Sequence, residues 1–195
     1  MNRQASAPRL EPLSPPYSPE VEEQLKRWMP PGAAIEPLGL FRTMMIHEKL
    51  SSRMRPLGAG ILGSGATVPA RLREVMIERT CALTGAEYEW GVHAAAFAAG
   101  VGLTEEQLHS TVLGSPSDVC WEPLEAAVLE LADELHHTSS ISQSLWERLA
   151  GALEPEQVIE LIVTAGWYHV IAYLCNGIAI DLEDWAKRFP RPAAG

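Results

Sequence analysis

REVMIERTCALTGAEYEWGVH, residues 73–93, is the stretch on which the reading of this chain turns. Glutamates and one histidine stand at helix-compatible spacing in an otherwise apolar segment. Glu74 and Glu78 are four apart, and so are Glu89 and His93. On a helix each pair shares one face. Acid–base groups gathered in an apolar setting can form a proton-transfer site. The competing reading of Glu89 and His93 is a solvated surface pair of little energetic weight. The neighbours Trp90, Ala94, Ala95, Ala96, Phe97 and Ala98 argue against a fully solvated helix. Glu78 could stand in for Glu74 if the helix phase differs, and Glu87 is expected to face out. Cys81 is the stretch's single cysteine, so it carries no CxxC pair.

Outward from this stretch the chain reads as all-α, about eight helices joined by short loops, with no strand alternation. Thr67 and Pro69 predict a helix over 70–83, Gly85 a break, and 86–99 a second helix ended by Gly100 and Gly102. Thr104 with Gln107 predicts a capping box for a short helix to Leu113. Further helices are expected over 124–137, 142–153 and, opened by Glu154-Pro155, through Ile180. Gly166 and Gly177 are expected to mark close contacts or a break in that last helix. On the N-terminal side, residues 1–17 hold four prolines and predict a flexible Pro-rich arm. Ser18 with Pro19 predicts a helix start, and Pro30, Pro31 and Gly32 its stop. Segments 37–50 and 52–63 follow, the second rich in glycine and suited to close helix packing. Residues 18–190 need only one domain.

Composition narrows the function. The chain has 195 residues, 47 % hydrophobic and 21 % charged, which is ordinary for a globular domain with a core. A formal net charge of −10 argues against nucleic acid and offers no polybasic patch for anionic lipid. No membrane span and no secretory leader are expected, which makes a cytoplasmic protein the default. The three cysteines, Cys81, Cys120 and Cys175, lack disulfide or metal spacing and read as reduced thiols. His136-His137 reads as a cationic helix end, not a metal site.

The positions Glu74, Ala86, Glu89 and His93 resemble the motif of the carboxymuconolactone decarboxylase superfamily, which includes alkylhydroperoxidase D. The resemblance covers roughly residues 35–185. In the peroxidase branch the motif is a glutamate, a CxxC pair and a histidine. Here the glutamate falls at Glu74 and the histidine at His93, while Ala86 and Glu89 occupy the two cysteine positions. Disulfide-based peroxide reduction needs a nucleophilic and a resolving thiol, and a carboxylate serves as neither. The sequence EYEWGVH resembles the decarboxylase-type branch, whose chemistry is acid–base and needs no cofactor. The resemblance further implies an all-helical subunit in a homo-oligomer, often a trimer or hexamer.

The expected chemistry follows. Decarboxylation of a small carboxylated molecule needs an ionised carboxylate, stabilisation of enolate-like charge, and a proton delivered to carbon. His93 is the expected principal acid–base group, Glu89 its tuning partner and Glu74 the end of a relay. The same groups could serve isomerisation, dehydration or addition. Tyr88, Trp90 and His169 are candidate substrate contacts, with core packing as the alternative. Arg42, Arg53 and Arg55 are candidates to meet an anionic group. Two other readings stand beside this one: a peroxidase-like oxidoreductase using Cys81, and a non-catalytic helical oligomer that binds a ligand.

Overall fold

The computed structural model describes residues 7–30, 32–33 and 35–192. Nine α-helices occur among them, and no strand: α1 Pro19–Trp28, α2 Gly39–Met44, α3 Glu48–Leu62, α4 Ala70–Leu83, α5 Glu87–Ala96, α6 Glu105–Leu113, α7 Pro123–Thr138, α8 Gln143–Ala150 and α9 Pro155–Ile178. Short 3-10 turns, Met45–His47 and Ala99–Val101, follow α2 and α5.

Local chemistry sets most helix starts. Ser18 Oγ accepts from Val21 N, with Pro19 in the first turn. Thr104 and Gln107 close a full capping box on α6, as Glu154 and Gln157 do on α9. Thr67 departs from expectation: it does not cap α4. Its N and Oγ1 both donate to Glu160 Oε2, at 2.7 and 2.8 Å, which ties the approach to α4 onto α9. The last helix stops at Ile178, because Ala179 takes a left-handed conformation with φ 59°.

α4 is the hub. It packs on α5, α6, α7 and α9, and every residue from Glu74 to Cys81 is buried. Arg79 holds α7 through a two-pronged pair with Asp133 at 2.6 and 3.0 Å, and α6 through the carbonyl of Thr111. Arg71 binds Glu125, Gln107 and the Val101 carbonyl. Gly85, at φ +64°, supplies the left-handed turn between α4 and α5. In α3 the expected close packing occurs at Gly58, where an added Cβ would lie 3.2 Å from the Trp167 ring on α9.

Two expectations need correction here. Gly166 and Gly177 neither break α9 nor meet a close neighbour, since an added Cβ at either would find open space. α9 is also long and apolar enough to cross a membrane, with a mean hydropathy of 1.6 over its best window. Its helix packs on α4 as the central apolar wall of the bundle.

The chain ends close over the rest. Arg9 N donates to the Ile178 carbonyl and Arg42 Nη1 to the Leu13 carbonyl, so residues 7–17 lie along the bundle without regular structure. Residues 1–6 of the expected arm fall outside the described residues. The C-terminal segment 181–192 crosses α5: Lys187 N donates to the Gly91 carbonyl at 3.1 Å, and Phe189 N to Glu87 Oε1. An added Cβ on Gly91 would come within 2.2 Å of the Lys187 carbonyl oxygen, so glycine there permits the crossing.

Candidate functional site

The α4–turn–α5 hairpin lays two helix faces against each other, and α9 closes the third side. Glu74 and Glu78 project from α4, Glu89 and His93 from α5, and Tyr168 from α9. All five are buried. His93 Nδ1 lies 2.7 Å from Glu74 Oε2. His93 Nε2 lies 3.5 Å from Glu89 Oε1 and 3.0 Å from the Tyr168 hydroxyl. The structure therefore brings Glu74, Glu89 and His93 into one cluster.

A ring flanked by a carboxylate at each nitrogen is held as imidazolium, with both N–H groups donating. Burial opposes that charge, yet Glu74 and Glu89 outweigh it and push His93 up to about 10. Arg73 adds a second cation, its Nε 3.9 Å from Glu74 Oε1 and without a hydrogen-bond partner. Glu78 is fully buried with both oxygens unpartnered, and burial pushes its carboxyl well above the usual range. Glu89 Oε2 is unpartnered too. Phe97, at the end of α5, lies against the His93 ring with centroids 4.9 Å apart and is itself 38 % exposed. It stands between the imidazole and solvent.

The other candidates lie elsewhere. Tyr88 donates to Glu183 Oε1 at 2.6 Å and accepts from Leu40 N, which anchors the C-terminal segment and α2 to α5. Trp90 donates to Thr111 Oγ1 and packs on Phe189. His169 turns to α7, where its Nε2 lies 3.0 Å from His136 Nδ1. These hydrogen bonds and ring contacts direct the three side chains to α2, α6, α7 and the C-terminal segment rather than to His93. The arginine candidates also go elsewhere: Arg42 donates to the Pro37 and Leu13 carbonyls, Arg55 to the Arg27 carbonyl, and Arg53 is exposed.

Sequence reasoning passed over Arg73, and among the neighbours Trp167, Tyr168 and His169 on the last helix it singled out His169 rather than Tyr168. Arg73 directly precedes Glu74 and could have been noticed on adjacency alone. Tyr168 had no such signal, because α9 is apolar on most sides and periodicity does not show which face meets α5. Cys81 is fully buried, and burial pushes its thiol far above its ordinary value. That is the reverse of a reactive thiolate's environment. Among the described residues no group of three His, Cys, Asp or Glu side chains is placed to hold a metal ion.

Residues 48–134 match the profile of the carboxymuconolactone decarboxylase family. No curated protein matches the chain. Among solved structures, the debrominase Bmp8 is similar in two forms. A cysteine-to-alanine variant in complex with 2,3,4-tribromopyrrole aligns with TM-score 0.71 and 16 % identity, over 95 % of this chain and 94 % of that one. Apo Bmp8 aligns with TM-score 0.70 and 16 % identity, over 90 % and 92 %. A protein of unknown function from Agrobacterium tumefaciens, with a suggested role as the antioxidant defence protein AhpD, aligns with TM-score 0.65 and 13 % identity, over 72 % and 94 %. At such identities the likeness speaks for the fold. The family profile matches the segment from α3 into α7, and the solved structures share the helical fold of the whole chain.

Proposed function

We propose that this protein is a cofactor-independent acid–base enzyme of the decarboxylase type, acting on a small oxygenated substrate that carries one carboxylate. The observation that carries this reading is the His93 ring held between Glu74 and Glu89, with a carboxylate where the redox branch has a thiol. In this reading the imidazolium stabilises enolate charge as it develops, and its proton ends on carbon. For decarboxylation, the electron pair of the breaking C–C bond enters the conjugated system as CO2 leaves. Glu74 fixes the ring. Glu89, the most exposed of the three at 8 %, returns a proton to it. Arg73, with its unpartnered Nε, is the group suited to the substrate carboxylate, in place of Arg42, Arg53 or Arg55. The same apparatus serves proton relocation within such a molecule.

A panel of small unsaturated acids and lactones tests this. Wild-type turnover on at least one member is expected, with a loss of about 100-fold or more in His93→Gln. Activity of that variant within a few-fold of wild type would remove His93 from the chemistry. Cys81→Ser should leave turnover unchanged, which separates this reading from the thiol peroxidase alternative.

We also propose a homo-oligomer, supported by α9. Ile159, Val163, Gly166, Val170, Tyr173 and Gly177 recur at alternating steps of four and three, and Ile159 and Tyr173 are 63 and 67 % exposed. That spacing forms a helix-packing seam. Val163→Glu should shift the sedimenting species to a smaller size, and an unchanged size would exclude this face.

A further inference from the structure

Glu78 has no role in the mechanism above, and its surroundings call for one. It is 0 % exposed, and both carboxyl oxygens lack a hydrogen-bond partner. Its neighbourhood holds Glu74 and Cys81 on its own helix, Glu89 and His93 on α5, and Lys187 on the C-terminal segment. Tyr168 and Cys175 face the same seam from α9 and interact with Glu89. Three of the cations in this region are engaged elsewhere. His93 is held by Glu74 and Glu89, Lys187 is paired with Glu105, and Arg79, next in sequence, is paired with Asp133. Burial, with the charges of Glu74 and Glu89, outweighs the opposing pull of His93 and Lys187, and no donor reaches either oxygen, so the group is held as a neutral acid.

The hairpin geometry says where that acid's proton goes. Across the Gly85 turn, Ala86 N donates to the Cys81 carbonyl at 2.8 Å, and farther out His93 meets Glu74 at 2.7 Å. In the same register Glu78 falls opposite Glu89, whose charge is among those that raise it. The atom of Glu89 not directed at His93, Oε2, is the other unpartnered carboxyl oxygen of the cluster. The two facing positions therefore offer a proton donor, Glu78, and a proton-accepting oxygen, Glu89 Oε2, and neither has a hydrogen-bond partner in the fold.

We propose that Glu78 is the resident proton store of this site, a carboxylic acid that hands its proton to the Glu89 carboxylate and takes it back during turnover. In the transfer the Glu78 O–H bond breaks as an O–H bond forms on Glu89 Oε2, and the negative charge moves from Glu89 to Glu78. Glu78 acts through Glu89 and is a relay residue, not one that touches substrate. Only the kinetic half of this proposal rests on the acid–base reading above; the protonation half stands without it.

Glu78→Gln tests both halves, because an amide imitates a neutral acid but has no proton to give. Infrared difference spectra at neutral pH should show a protonated-carboxyl carbonyl band in the wild type that is missing from Glu78→Gln. Absence of the band from the wild type overturns the proposal. If Glu78→Gln does not fold, Glu89→Gln serves instead: the Glu78 band should persist and titrate at lower pH, because the raising charge of Glu89 is gone. An unmoved titration overturns the pairing. On any substrate the wild type turns over, Glu78→Gln should lower kcat about 100-fold with KM little changed, and Glu78→Asp should recover part of the loss. Wild-type kcat in Glu78→Gln would overturn the relay and leave the His93 reading intact. Failure of the wild type on every substrate would instead count against the acid–base reading, while the carbonyl band still decides the state of Glu78.

Discussion

Two histidine clusters lie in this bundle, and they are opposites. His93 sits between carboxylates, which outweigh its burial and push it up to about 10. His136 sits beside His169 and His137. Burial and those like neighbours push it down, against the opposing pull of Asp133. One side chain is thus a fixed cation near neutrality in one place and a neutral donor in the other. At the second site, His169 Nδ1 donates to the Ala165 carbonyl, so its Nε2 accepts from His136 Nδ1–H. The lesson is that the partners on the ring nitrogens decide what a buried histidine does.

The strongest way to break this contrast is Glu74→Gln. It removes the partner at 2.7 Å and leaves a buried imidazolium with half its compensation. A loss of about 3–5 kcal/mol is expected in urea unfolding at neutral pH. The pH dependence gives the matching sign. The folded pKa of His93 is raised, so its contribution is full below the ordinary histidine value of about 6.5. It drains away as pH rises from there through about 10. Wild-type stability should therefore fall across that window, and Glu74→Gln should flatten the fall. A wild-type curve without an alkaline slope would show that His93 is neutral in the fold.

The weaker test is at the other cluster. His136→Gln should cost only about 1 kcal/mol, since one partly exposed hydrogen bond is at stake. Here the sign reverses. A lowered folded pKa gives a contribution that is full above the ordinary histidine value and lost as pH falls through the folded one. The difference between wild type and His136→Gln should shrink on the acid side. A difference that instead grows there would mean that His136 is charged in the fold.

Legibility followed the range of the forces involved. Helix starts at Ser18, Thr104 and Glu154 were readable because a cap is made by residues three apart. Thr67 looked like another such cap, but Glu160, on a distant helix, offers its carboxylate to the same hydroxyl and amide. At the site, the spacing of Glu74, Glu89 and His93 already pointed to one cluster. The choice of His169 over Tyr168 went the other way. The two are adjacent on α9, and only the rotation of that helix against α5 and α7 decides which side chain reaches His93. Arg42, Arg53 and Arg55 were equally plausible on paper, and each is taken up by backbone carbonyls or solvent.

By itself, then, the sequence determined the helical class, most helix boundaries, and the absence of a CxxC pair at Ala86 and Glu89. These depend on residue identity and on contacts within a turn or two. The tertiary structure alone decided that Tyr168 caps the His93 ring, that Arg73 lies beside Glu74, and that Glu78 is buried without a partner. Those facts depend on how α4, α5 and α9 are rotated against one another. That rotation is set by the packing of many apolar side chains together, which no short pattern records.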